Sequence, residues 1–377
     1  MLATSEEMSM VGALSTSAMP RFESADGRVD IKSMTLPEIE ESFAGLGSER
    51  YRALQVYKWL WQRGATSFDA MTNIARSVRM ELHQRFYISW LELVSIQESK
   101  DGTRKFLWRT HDGHAIESVL IPDDHRLTLC VSTQVGCAMA CTFCLTGDLG
   151  LKRNLHPSEI TNQPLQVRGT LAEGQRITNV VMMGMGEPLH NYDNLIPALR
   201  TYLATDGLGF SQRRVTVSTV GLVPALQRIV AEIPVSLAVS LNATTEAQRR
   251  EVMPITRKYS MEELLDACRA LPIPHHRRIT FEYVMMAGFN DSMDDAARLV
   301  KLLRGIRSKV NLIPYNENPD RDIRRPSDEQ VKAFQRHLVL RGVQSSVRTT
   351  RGIDISAACG QLGKTNPLAA MAAVAGG

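Results

Sequence analysis

Between residues 127 and about 350, runs rich in β-forming residues alternate six times with runs of helical period. This alternation constrains the fold more than any other feature. The candidate strands are 127–133, 178–183, 214–218, 235–241, 279–285 and 309–314. Helices are predicted to start near 157, 192, 222, 260 and 293, and a further one opens at Ser327-Asp328-Glu329-Gln330. Parallel neighbours need a crossover, and a helix is its usual form, so repeated β/α units build a parallel sheet. Six units imply an α/β protein with the sheet curved into a full or partial barrel. Spacing alone does not separate a partial barrel from an open doubly wound sheet.

The flanks have other periods. Residues 1–30 are Ser/Met/Ala-rich and read as a mobile extension. Residues 31–90 are expected to form a helical accessory domain: Thr35-Leu36-Pro37-Glu38 is an N-cap with early Pro and Glu, and Tyr51, Leu54 and 57–61 give an aromatic-rich amphipathic helix. Within 91–125, two Asp-Gly pairs separate three β-rich runs, the pattern of a β-meander. The barrel and a C-terminal loop are assigned to 126–362, and 363–377 is an Ala/Gly-rich tail. No apolar run is long enough to span a bilayer, and Glu6 and Glu7 replace the basic start of a secretory signal, so a cytoplasmic protein without membrane contact is expected.

Cys137, Cys141 and Cys144 follow the first barrel strand, where ligands of such sheets bind. A structural zinc site usually takes four protein ligands, and here only Cys141 and Cys144 form a C-x2-C pair, with no His nearby. A disulfide framework suits short secreted chains, whereas this one has 377 residues and four of its six Cys between 130 and 144. Three thiolates can instead hold three irons of one [4Fe-4S] cluster and leave the fourth iron open to a small molecule.

Other polar residues fall at strand ends. Gly184-Met185-Gly186-Glu187-Pro188 follows the second strand; it is either an ordinary Gly-rich turn or a loop that admits a ligand, with Glu187 accepting from an ammonium group. Ser218 ends the third strand, Ser240-Leu241-Asn242 the fourth, and Asn316 follows the sixth. Alternation places Cys130 with Thr128 and Ser132 on the more polar face, and puts Cys268 on the buried stripe of its helix. Cys359 lies in a loop near basic residues, as an idle thiol or a nucleophile. Glu117 shares a face with Ala115, Val119 and Ile121; a partly buried carboxylate there could have a raised pKa and act as a base. Charge is uneven: residues 1–50 carry four Lys/Arg against nine Asp/Glu, net −5, leaving 40 against 31, net +9. Clusters such as Arg213-Arg214, 275–278, Arg321 with Arg324-Arg325, and Arg348 with Arg351 suit either a solvated surface or a polyanion such as RNA.

Taken together, Cys137-x3-Cys141-x2-Cys144, 184–188, 240–242, 311–316 and 357–362 resemble the radical-SAM RNA adenine methyltransferases, the RlmN and Cfr group, over about residues 35–362. The resemblance implies a partial (β/α)6 TIM-like barrel. It implies one [4Fe-4S] cluster on the three cysteines and two S-adenosylmethionine molecules per turnover, the first methylating Cys359. The second is cleaved to a 5′-deoxyadenosyl radical that takes hydrogen from that methyl group. The resulting carbon radical joins the adenine, Glu117 accepts a proton, and Cys130 attacks Cys359 to release the product and leave a disulfide. Gly186, Glu187, Ser218, Ser240, Leu241, Asn242 and Asn316 match positions that hold S-adenosylmethionine. The implied partners are 23S rRNA, methylated at C2 of adenine 2503, tRNA with adenine 37 as a second target, and a flavodoxin or ferredoxin as electron donor to a monomeric enzyme. Methylation at C8 is the alternative within the family. A glycyl-radical activase is the alternative outside it, and would need neither Cys359 nor Cys130; a zinc-holding RNA-binding module is the non-enzymatic one. This chain departs from the usual pattern in Asn242, where His is common, in Leu145-Thr146-Gly147-Asp148, in the tail, and in Pro164, which is expected to kink or break the helix over 157–170.

Overall fold

The structure, a computed structural model, describes residues 23–24, 26–45 and 49–363. The expected extension therefore lies outside the described residues over 1–22 and at 25, and the expected tail lies outside them from 364 onward.

Ten strands form one sheet. They are β1 (Glu92–Glu98), β2 (Arg104–Arg109), β3 (Ala115–Asp123), β4 (Arg126–Cys130), β5 (Asn179–Met182), β6 (Val215–Thr219), β7 (Ser236–Ser240), β8 (Ile279–Met285), β9 (Ser308–Pro314) and β10 (Ser345–Val347). Their spatial order is their sequence order, from β1 at one edge to β10 at the other. A doubly wound sheet reverses direction part-way; an unreversed order curls one way, which is barrel topology. No ladder joins β1 to β10 among the described residues, so the barrel is partial. Strands β4 to β10 pair in parallel, and β1 to β4 pair antiparallel, so the meander extends the barrel wall. Alternation turns Thr128, Asn179, Thr216, Ser236, Thr280 and Asn311 inward, where they line a polar cavity of about 1250 Å³.

Outside the sheet lie α4 (Pro157–Arg168), α5 (Tyr192–Leu203), α6 (Val223–Glu232), α7 (Glu246–Val252), α8 (Met261–Ala270), α9 (Met293–Leu302) and α10 (Asp328–Leu340), after the accessory helices α1 (Leu36–Ala44), α2 (Arg50–Trp61) and α3 (Arg76–Arg85). The expected start of α1 is present: Thr35 N–H donates to the Glu38 carboxylate at 2.7 Å. Cys268 is 3% exposed on the core face of α8, as its stripe position required. No helix among the described residues is long and apolar enough to cross a membrane.

The break expected at Pro164 does not occur. Helix α4 continues through it to Arg168. Proline withdraws the N–H that would reach the carbonyl of residue 160, and the buried Tyr202 hydroxyl of α5 replaces it, donating to Ile160 O at 2.9 Å. This helix ties the two parts of the chain together. Its Leu165 packs into the accessory core beside Trp61 and Phe68, and its Asn162 accepts from the buried Lys32 Nζ at 2.8 Å. On the barrel side, Gln163 accepts from Ser132 N–H and donates to Ser132 O, both at 2.9 Å.

Candidate active site

The cysteine triplet rides on a hairpin. After β4, Gln134–Gly136 pairs with Leu151–Asn154, and the chain between them carries all three thiols. Gly136 closes the hairpin at φ +76°, and a Cβ there would stand 1.8 Å from Gly150 O, so no other residue fits. The three residues line a cavity of about 160 Å³ at the carboxyl ends of the strands. Burial pushes the Cys137 thiol up to about 12 and Cys141 well above its ordinary value. Cys144 is also raised by burial, against N–H groups of Gly147 and Thr146 that point at its sulfur. Left alone these groups stay protonated; a bound cation displaces the protons. Among the described residues, the ligand atoms of His111, Asp112 and Glu159 lie within 4.8 Å of one another, but Arg153 already pairs with both carboxylates. The three cysteine sulfurs are set wider than that, whereas zinc bonds of about 2.3 Å would draw them to about 3.8 Å.

The second wall comes from the loops after β5 to β7. Gly184 and Gly186 both line the cavity, but their missing side chains make room for protein: a Cβ on Gly184 would meet the Val131 carbonyl at 2.7 Å, and one on Gly186 would meet Gln134 Cβ at 2.5 Å. Both oxygens of the buried Glu187 already accept, from Leu189 N–H at 3.1 Å and Val220 N–H at 2.9 Å, and burial raises its pKa to about 7. Ser218 and Ser240 line the cavity. Leu241 does not: its side chain is fully buried in the core. Asn242 adopts left-handed φ +55°, which asparagine tolerates, and accepts from Val284 N–H at 2.8 Å, leaving its amide group against Met253 Sδ. Asn316 donates to Cys359 O at 3.0 Å, while its Oδ1 and the Tyr315 hydroxyl are buried at the cavity without partners. Such orphaned groups mark where a polar ligand fits.

Cys359 reaches the same cavity. Its loop is pinned by Leu145 N–H to Gly360 O at 2.8 Å and by Thr146 Oγ1 to Leu362 O at 2.9 Å. Cys130 is 5% exposed: burial first, then the charge of Cys359, push its thiol up to about 12. The guanidinium of Arg348 is shared among Cys359, Glu282 and Cys130, which together hold it charged. Glu117 is buried, but the picture of a lone carboxylate is corrected: Lys105 Nζ stands 3.2 Å from Oε1, and Oε2 accepts from Gly363 N–H at 2.7 Å.

Residues 29–88 match the family model of the ribosomal RNA large subunit methyltransferase N-terminal domain, and 131–300 that of the radical SAM superfamily. A dual-specificity RNA methyltransferase RlmN of Pelobacter propionicus is 52% identical over 336 residues, 89% of this chain and 96% of its own length. The chain belongs to the RlmN family. Another RlmN, of Geobacter sulfurreducens, is 52% identical over 91% of this chain and 94% of its own length. The solved radical SAM methyltransferase of Sphaerobacter thermophilus superposes with TM-score 0.84 at 44% identity, covering 89% of this chain and 99% of that one. Radical-SAM membership implies a [4Fe-4S] cluster and S-adenosylmethionine. The donor set fits both: three thiols, one buried and two half-buried, for the metal, and Asn316 Oδ1 and Tyr315 OH, unpartnered among the described residues, for the small molecule.

Sequence reasoning missed three cations at this RlmN-family site. Arg348 and Arg321 were grouped with surface clusters, yet Arg348 faces Cys359, and Arg321 donates to the carbonyls of Thr142 and Cys144 and pairs with Asp148 at 2.6 Å. Arg249 of α7 is 1% exposed behind the cavity wall. Position two residues beyond Ser346 on an inward-facing strand was a signal available for Arg348; nothing in the sequence marked the other two.

Proposed function

We propose that this chain is a radical-SAM methyltransferase acting on C2 of an adenine in RNA, with adenine 2503 of 23S rRNA as the first target and adenine 37 of tRNA as a second. One observation carries the reading: Cys359 enters the cavity of the cysteine triplet, and Cys130 is near enough for the two sulfurs to influence each other electrostatically. The names of the curated relatives support RNA as the substrate.

Each step asks something of the chain's own residues. Cys359 opens onto the cavity beside Arg348, so it is the sulfur placed to take a methyl group from a first S-adenosylmethionine. Cys130 is buried and kept as a thiol, so it does not compete for that methyl group. Bound to Cys137, Cys141 and Cys144, a [4Fe-4S] cluster would supply the electron that cleaves a second S-adenosylmethionine to a 5′-deoxyadenosyl radical. Asn316 holds the Cys359 backbone while its free Oδ1, with Ser218, Ser240 and the loop at Gly186 and Glu187, orients the cosubstrate. Glu117 takes the proton from the adenine carbon once the chain at Gly363 shifts off its Oε2. The methylene carbon left on Cys359 after hydrogen removal has by then joined the adenine carbon. Cys130 gives up its proton and attacks the Cys359 sulfur, so that the S–S bond forms and the S–CH2 bond breaks. The carbon takes a proton to become the methyl group, and the odd electron returns to the bound cluster. The electron comes from a flavodoxin or ferredoxin, and the enzyme works as a cytoplasmic monomer.

The test is mass spectrometry of nucleosides from rRNA and tRNA treated with reconstituted enzyme. Co-elution of the product with 2-methyladenosine is expected. An 8-methyladenosine product, or unmodified adenosine beside cleaved S-adenosylmethionine, would overturn the C2 assignment.

A further inference from the structure

Arg249 is a buried cation with no acid to pair with. Its side chain donates to Val220 O at 2.6 Å, Ser240 O at 3.3 Å and Thr256 Oγ1 at 2.9 Å, and its Nε has no partner. Among the described residues no carboxylate lies within ion-pair distance. The nearest, Glu246, is already engaged by Arg250 and by Met261 N–H. An uncompensated buried charge is strongly unfavourable, so a residue kept in this state calls for a counter-charge that the described residues do not supply.

Its surroundings point to where that charge sits. Val220 and Ser240, whose carbonyls Arg249 grips, line the cavity of the cysteine triplet. The loop bearing the cysteines docks on the end of the same helix, Thr142 N–H donating to Val252 O at 3.1 Å. Cys141 is the group coupled most strongly to the Arg249 charge, ahead of Glu246 and Cys268. Arg321, on the other side of the loop, differs because Asp148 offsets it.

We propose that Arg249 is the resident counter-charge of the metal cluster, and that it favours the reduced state and so sets how readily the cluster accepts its electron. This rests on the cluster reading under Proposed function. Three thiolates on a [4Fe-4S]2+ core carry a net charge of −1. One electron from a low-potential donor takes the core to 1+ and the assembly to −2, and a fixed guanidinium beside Cys141 stabilises the second state more than the first. The grip on Val220 and Ser240 also couples that cation to the loops after β6 and β7.

The experiment compares wild type, Arg249→Gln and Arg249→Lys, each as apo protein and after reconstitution with iron and sulfide. Metal analysis of wild type comes first: zinc without iron and sulfide would sink the cluster reading itself, separately from this proposal. Dithionite titration followed by electron paramagnetic resonance then gives the potential. R249Q is expected to be about tenfold harder to reduce, about 59 mV lower for one electron, with R249K within about threefold of wild type. Thermal midpoints supply a second readout: R249Q should gain less on loading than wild type does. A potential unchanged in R249Q overturns the proposal. So does a gain on loading in R249Q that equals the wild-type gain, and so does a tenfold shift of the potential in R249K, which keeps the charge.

Discussion

Helix α4 survives Pro164 because of one hydroxyl on another helix, and this can be tested quantitatively. In Tyr202→Phe the ring stays in its buried site and only the donor to Ile160 O is lost. In an ordinary helix the backbone N–H of residue 164 would still serve that carbonyl; here proline has none. The carbonyl is therefore left buried and unpaired, at a cost of about 1–3 kcal/mol. Restoring the N–H with Pro164→Ala should return most of that loss, but only in the Y202F background, where the carbonyl is vacant. The two substitutions should show a coupling of about 1–2 kcal/mol, well above the 0.3–0.5 kcal/mol scatter of roughly additive pairs. Equilibrium urea unfolding of the apo protein, followed by far-ultraviolet circular dichroism, measures all four corners of the cycle. Additive effects, or a double variant as unstable as Y202F alone, would show that Tyr202 does not stand in for the missing N–H. Because α4 holds Ser132 through Gln163 and Lys32 through Asn162, Y202F should also increase hydrogen exchange at residues of both the barrel and the accessory helices.

Three further outcomes are expected. Cys130→Ala should trap a covalent protein–RNA species, visible as a shifted band on a denaturing gel; absence of that band under conditions where wild type methylates RNA counts against the thiol-release step. Cys268→Ala should keep methylation and lose about 1 kcal/mol of stability from a small buried void; inactive but folded protein would mean that the sulfur has a role beyond packing. Burial lowers the Lys32 ammonium from 10.5 to about 7. Between those values the unfolded chain binds the extra proton, so this group makes wild-type stability rise with pH from about 7 toward 10.5. The ceiling is about 5 kcal/mol at 1.36 kcal/mol per pH unit, reduced by the Trp90 ring 4.0 Å from the ammonium, which favours its charged form. Urea midpoints of Lys32→Met should lack that rise, and an identical pH profile in the two proteins would refute it.

Alternation and strand-end position carried the sequence reading far because both follow from backbone geometry. Thr128 does face the barrel interior, and Cys130, on the same face of β4, is near enough to Cys359 for the two sulfurs to influence each other electrostatically. Where the reading failed, the deciding partner came from a distant element. Pro164 was judged by local rules, and Tyr202 of α5 overrode them. Glu117 looked isolated because its partner Lys105 becomes visible only through the register of β2 against β3, which sets Leu107 opposite Glu117 and Lys105 one diagonal away. Burial of Arg249 and Arg321 left no trace in composition, since a guanidinium in a basic chain reads as surface.

The antiparallel strands ahead of the barrel explain how two cysteines so far apart in sequence can meet. Every anchor of the segment before and after Cys359 on that side comes from the meander: Asp101 accepts from Gly352 N–H at 2.9 Å, Ser99 Oγ donates to Asp354 at 2.6 Å, Lys105 Nζ donates to Ser356 O at 3.4 Å, and Glu117 accepts from Gly363 N–H. The cysteine loop and Asn316 hold the other side. The segment thus spans a seam between two rigid walls, the meander and the metal-binding loop, and Cys130 belongs to β4, the strand on which those walls join. In the proposed reaction the Cys359 thiol collects a methyl group, presents it to RNA and is then attacked by a second thiol, so it has to move between partners. A loop held by single hydrogen bonds to two fixed walls allows that movement, and each bond can break separately at a cost of about 0.5–1.5 kcal/mol. A strand or helix in its place would have to break its whole ladder at once.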